Sequence, residues 1–211
     1  VITMVDSFVY TFNNYFNMGK SEDLVSCIRP AVEKSIFSKI YFILFDIYNS
    51  KYSEENKIFL SKIDSINNTM SIEDIMNYLE IKEKFRFLEN YNTNSIIKII
   101  PYRSTIDCIN KIEYEQIPRI KFDTLISAGL DLRNTVLGGT QGKIELNSMD
   151  DELPIFIYIV TQSRLTNIIA ELHMIEDYIT YSQCPDKESK VLTNLMSAVL
   201  FINNTWSVNK K

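Results

Sequence analysis

Asp150-Asp151-Glu152-Leu153-Pro154-Ile155-Phe156-Ile157-Tyr158-Ile159-Val160 is the stretch on which the fold turns. Its second half, an unbroken run of β-branched and aromatic residues, would by itself suit a buried strand. Its first half points to a helix. Acids favour the positive end of the helix dipole and accept bonds from its free N–H groups, and proline fits the first helical turn. The residues that follow agree. Leu165, Ile168, Ile169, Leu172, Ile175 and Ile179 recur at helical spacing, and Thr193-Asn194-Leu195 opens another apolar stripe through Ala198, Val199, Phe201 and Ile202. The segment therefore reads as a helix opened by carboxylates.

Working upstream, the same periodicity predicts helices almost throughout. Val5, Phe8, Val9, Phe12 and Phe16 mark one that ends near Gly19, with Ser21 as the next cap. A long helix runs from Leu24 toward Tyr48, with Pro30 near its start or at a kink. Ser53-Glu54-Glu55 is expected to cap a third, carrying Ile58, Phe59, Lys62, Ile63 and Ile66. Ser71-Ile72-Glu73-Asp74 fits a capping box, and a further helix is expected through Phe85 and Leu88. Pro101 is expected to start a helix with Ile106, Ile109 and Ile112 on its apolar side. Pro118 starts the next, carrying Leu125, Ile126, Leu130 and Val136. The chain reads as all-α. Its expected division is an N-terminal helical bundle over residues 1–100 and a C-terminal helical module over residues 101–211.

Composition narrows the function. In 211 residues there are only five glycines and five prolines, so few breaks are available and long helices are the default. A formal charge of −5 without a basic block argues against nucleic acid, because neutralising phosphates needs clustered Lys and Arg. No run reaches the roughly 18 apolar residues that a membrane span requires. Cys27, Cys108 and Cys184 are widely spaced and read as reduced thiols. Gly138-Gly139-Thr140-Gln141-Gly142-Lys143-Ile144 mimics a phosphate loop, but the spacing is short by one residue and Ile144 replaces the required Ser or Thr. It reads as a connector leading to the Asp150 helix. Any hydrolytic triad or multi-histidine site would have to run through the single histidine, His173, which sits in a helical pattern.

Taken together, Ser148 to Ile202 resembles the vacuolar protein sorting nine domain, the catalytic module of exchange factors for Rab GTPases of the early endosome class. The shared features are the Asp-acid-x-Leu-Pro segment at Asp150 to Pro154, the Ile-Tyr-Ile core that follows, Ile175-Glu176-Asp177-Tyr178, and the Thr-Asn-x-x-x-Ala-x-x-Phe-Ile helix from Thr193. Cys27-Ile28-Arg29-Pro30 through Phe37 resembles the family's early helix, and Ile117-Pro118-Arg119-Ile120-Lys121-Phe122 its Pro-Arg-x-Lys-Leu helix start. In the family the fourth residue before the motif's Asn is usually a tyrosine packed on the partner's switch region. Here that position is Lys190, and the upstream Gly-Glu is replaced by Asp186-Lys187.

The resemblance implies a regulator that breaks no covalent bond. Asp150 would act as an aspartate finger that enters the phosphate site of a Rab GTPase, with Pro154, Lys190, Thr193 and Asn194 on the GTPase-binding side. Asp151 and Glu152 are expected to be capping and solvating charges. No cofactor belongs to the chain itself, since GDP or GTP and Mg²⁺ are held by the partner. A cytoplasmic protein recruited peripherally to endosomal membranes by regions outside this chain is implied. The alternative is a Rab-binding scaffold of the same fold with little or no exchange activity.

Overall fold

The computed structural model of the chain describes residues 2–15, 22–87, 100–146, 148–182 and 190–206, and every regular element among them is helical. The helices are α1 (Ile2–Tyr15), α2 (Glu22–Lys51), α3 (Ser53–Thr69), α4 (Ile72–Tyr78), α5 (Arg103–Asn110), α6 (Pro118–Gly139), α7 (Met149–Gln162), α8 (Ile168–Ser182) and α9 (Lys190–Asn204). Single 3₁₀ turns lie at Glu83–Phe85 and Lys111–Tyr114. The expected caps at Gly19 and Ser21, and Phe16 and Leu88, lie outside the described residues.

The strand-like run is the centre of the molecule. Ile155 to Val160 are each 3% exposed or less, because α7 is wrapped by α3, α5 and α9. A helix buried all round has no polar face, so it loses the amphipathic signature and resembles a buried strand in composition. Burying each such side chain contributes on the order of 1.5–3 kcal/mol. One hydrophobic core runs from Phe59 on α3 to Trp206 beyond α9. Outside it, α2 packs on α8, and α1 on α2 and α8.

α7 and α9 lie side by side in the same direction. At their starts Glu152 meets Asn194, while α3 holds both of their ends. Asn67 Nδ2 donates to the Thr161 carbonyl at 2.8 Å, and Lys62 Nζ donates to Ile202 O at 3.1 Å, Asn203 O at 2.7 Å and Trp206 O at 3.3 Å. A lysine thus satisfies the orphan carbonyls and the negative end of α9. α8 receives the mirror treatment, with Glu113 Oε1 accepting from the Thr166 and Asn167 amides at its start.

Several local expectations need correction. Ser53 caps nothing: α3 follows α2 after Tyr52, whose amide bonds to Tyr48 O and whose carbonyl accepts from Asn56 N, so no side-chain cap is used. The element at Phe85 is one 3₁₀ turn flanked by left-handed Glu80 and Phe87. α5 begins after Tyr102, not at Pro101, because Tyr102 is itself left-handed, with φ 59°. Leu130 and Ile58 face solvent, and among the described residues of the first predicted stripe only Val5 is fully buried. The capping box at Ser71 and Asp74, the start at Pro118 and the burial of Ile106, Ile109 and Ile112 are as expected.

Candidate functional site

The first turn of α7 gives three consecutive carboxylates three different environments. Ser148, extended at φ −93° and ψ 136°, caps the helix by accepting from the Asp150 amide at 3.2 Å, so the cap is the serine and not an acid. Asp150 is exposed, and among the described residues its carboxylate makes no ion pair. Asp151, 14% exposed, lies 2.6 Å from Lys82 Nζ, which ties the turn to the segment after α4. Glu152 is 2% exposed and points between α6 and α9. Asp151 and Glu152 are therefore anchors, contrary to the expectation of capping and solvating charges.

Glu152 draws two of the expected site residues inward. Its Oε2 lies 2.7 Å from Lys190 Nζ and accepts from Asn194 Nδ2 at 3.1 Å, while Oε1 is 3.7 Å from Arg133 Nε. Asn194 is fully buried and Lys190 half-buried, whereas Thr193 between them faces solvent. Pro154 is half-buried and is the sixth residue of α7, one turn deeper than first-turn proline. Lys190 and Asn194 are thus brought to the first turn of α7 through Glu152, while Asp150, Pro154 and Thr193 share with them only the two helices that meet there. The residues that sequence reasoning missed are Glu152 and Arg133. A signal for Glu152 existed: it stands three and four residues before Ile155 and Phe156, on a face that stays buried.

Gly129 lets α9 come this close to α6. A Cβ there would lie 2.4 Å from Val191 Cγ2, next to Lys190. Just beyond α6, Thr140 Oγ donates to Val136 O at 2.8 Å, and left-handed Gly142 donates its amide to Leu137 O at 2.7 Å. The glycine run closes a helix and leads toward α7. Between its arm and α6 lies a shallow cavity of about 160 Å³ lined by Arg133, Asn134, Leu137, Glu145 and Leu146.

The Pro-Arg-x-Lys segment at the start of α6 is a clamp toward the other end of that helix from Arg133. Lys121, fully buried, lies 2.7 Å from Glu171 Oε2 and donates to Tyr41 Oη at 3.2 Å and to the Ile112 carbonyl. Burial pushes the Lys121 ammonium below its ordinary range and the Glu171 carboxyl above its own, and each partner's charge opposes the other's shift. Tyr178, from the Ile-x-x-aromatic pattern, donates to buried Glu33 at 2.7 Å, and Arg29 bridges Glu33 and Asp6. These contacts bind α1, α2, α6 and α8 together. His173 stacks on Tyr52 at 4.2 Å between ring centroids and lies 3.1 Å from Glu176. It is a helix residue at half exposure.

Among the described residues no cluster of three or more His, Cys, Asp or Glu side chains could hold a metal ion, and no helix is long and apolar enough to cross a membrane. Comparison with known proteins matches residues 102–206 to the Vacuolar sorting protein 9 (VPS9) domain. Alsin of Mus musculus is 26% identical over 148 residues, covering 67% of this chain and 9% of that protein. Alsin of Homo sapiens is 24% identical over the same length. The ALS2 C-terminal-like protein of Homo sapiens is 25% identical over 155 residues, covering 71% of this chain and 16% of that protein. The chain therefore matches only a small part of each relative. Through residues 102–206, which carry all three acids of α7 and the first turn of α9, this chain belongs to the VPS9 domain family.

Proposed function

We propose that this chain is a guanine nucleotide exchange factor for a Rab GTPase of the early endosome class, with Asp150 as its aspartate finger. The observation that carries the reading is the contrast within one helical turn. Asp151 and Glu152 are tied down by cations, while Asp150 projects its charge into solvent from a helix whose body is buried. A small GTPase holds its nucleotide through a loop lysine, backbone N–H groups and Mg²⁺, all directed at phosphate oxygens. A carboxylate pushed into that site repels the phosphates, displaces the metal ion and offers the lysine another partner. GDP then leaves faster.

No bond is made or broken in this reading, and the chain needs no cofactor of its own, since nucleotide and Mg²⁺ belong to the partner. The factor works by binding the nucleotide-free GTPase more tightly than the loaded one. Thr193, Lys190 and Pro154 form the GTPase-binding rim around Asp150, and Asn194 supports it from below. Residues 1–100 serve as a helical buttress for the exchange module of residues 101–211. Cytoplasmic location and peripheral recruitment to endosomal membranes, through regions outside this chain, go with the assignment.

The test is release of fluorescent GDP from an early-endosome Rab, comparing this chain with Asp150→Ala. A loss of about 10²–10³ in rate is expected, the scale of removing one preorganised electrostatic group. Equal acceleration by both proteins refutes the role of Asp150. One observation favours a second reading, a Rab-binding scaffold with little exchange activity: Lys190 stands at the tyrosine position and is turned toward Glu152. Tight Rab binding by the unmodified chain with no GDP release would establish it.

A further inference from the structure

Glu152 and Asp150 are separated by two residues of one helix, about 200° of rotation, so one points into the protein when the other points out. Glu152 is 2% exposed and takes hold of two other helices. Lys190 and Asn194, one turn apart on α9, both meet its Oε2, and Arg133 of α6 approaches Oε1. A two-point grip fixes both the distance of α9 from α7 and its rotation. Hydrocarbon at this place would fill the space without fixing either, whereas a buried carboxylate is tolerated only with its cations in place.

We infer that Glu152 is the positioning residue for nucleotide exchange, with Lys190 as its counter-ion, so that the finger stands on an ion pair where related domains use a tyrosine. This rests on the reading of Asp150 given above. Lys190 thereby acts mainly from within the protein: it holds the platform from which Asp150 reaches the partner's phosphate site. Removing the Glu152 charge deletes no GTPase-facing atom but lets the first turn of α7, Asp150 included, drift against α9. The effect falls on the maximal rate of GDP release rather than on affinity for the GTPase.

The experiment measures GDP release from an early-endosome Rab across a range of concentrations of the 211-residue chain. Glu152→Gln keeps the shape and the Asn194 contact but loses the charge. It is expected to lower the maximal rate on the order of 10-fold to 10²-fold, as a misplaced reacting group does, with the half-saturating concentration unchanged. Glu152→Asp, which keeps the charge on a shorter stem, is expected to retain more of the rate than Glu152→Gln. In an Asp150→Ala background the Glu152→Gln effect should shrink to about twofold or less, because one residue acts through the other. An undiminished loss in that background, or a change confined to the half-saturating concentration, overturns the inference. Should Glu152→Gln not fold, Glu152→Leu, an apolar side chain of similar size in the same space, is read by the same two criteria. A wild-type chain that releases no GDP defeats the exchange reading itself, and is distinguished from an active chain that ignores Glu152.

Discussion

Glu171 and Glu152 are almost equally buried, at 1% and 2% exposure, yet they are neutralised in different ways. The cation of Glu171 is Lys121, which is as deep as the acid, and the third member, Tyr41, is also inside. The cations of Glu152 are Lys190 and Arg133, whose side chains are 38% and 44% exposed. The first knot is sealed between α2, α6 and α8. Its charges have lost their water, and burial drives both toward their neutral forms. The second opens to the surface beside Asp150, so its cations keep part of their hydration. A sealed knot can only serve the fold. An open one couples the fold to whatever docks there.

The strongest way to break this contrast is Lys121→Met. It leaves Glu171 buried without its cation and should cost about 3–5 kcal/mol of stability, measured by denaturant unfolding. Adding Glu171→Leu should recover most of that loss, since a packed apolar pair often replaces a buried ion pair at little cost. Exchange per folded molecule should be unchanged by the double substitution. Next comes Asp150→Ala, which should behave in the opposite manner: about 3–4 kcal/mol of barrier lowering is lost while the melting temperature stays put, because the side chain is exposed. A melting temperature that falls together with the rate would mean that Asp150 is part of the scaffold.

Gly129→Ala tests the open knot through its packing. The new methyl would overlap Val191 and push the first turn of α9 from α6, for a cost of about 1–3 kcal/mol. The exchange rate should fall with it, and Val191→Ala in the same chain should restore both. The smallest effect is expected at the start of α4. The Ser71 hydroxyl and amide hold the Asp74 carboxyl below its ordinary range. A depressed pKa contributes stability above the ordinary value, and that contribution is lost as pH falls through the folded one. The difference in melting temperature between wild type and Ser71→Ala should be constant down to about pH 5 and should shrink below about pH 4.

Much of this architecture could be read from side-chain type. Pro118 at the first position of α6 and the box at Ser71 announce themselves, because each residue answers a specific demand of a helix start. The missed boundaries around Phe85 and Pro101 share one cause. Glu80, Phe87 and Tyr102 adopt positive φ without being glycine, held there by tertiary contacts such as the bond from the Tyr102 hydroxyl to Phe85 O. No local pattern signals that. At the site, the helix start predicts only that acids open α7, and Asp150 is singled out among them by the family resemblance. The burial of Glu152 was hidden because adjacent acids look alike, and its partners come from helices distant in sequence. Lys190 was expected on the partner's side, and only three-dimensional proximity turns it toward Glu152.

Pro154 carries a consequence for the tip of α7. Having no amide hydrogen, it cannot supply the bond that an ordinary residue there would donate to the carbonyl four positions earlier, and that carbonyl belongs to Asp150. The peptide plane joining Asp150 to Asp151 is thus freed of one tether, while Glu152 just below is clamped. The start of α7 therefore carries one backbone bond fewer above a base fixed by Glu152, and in the exchange reading proposed above this gives the Asp150 carboxylate room to adjust without disturbing the packed helices underneath.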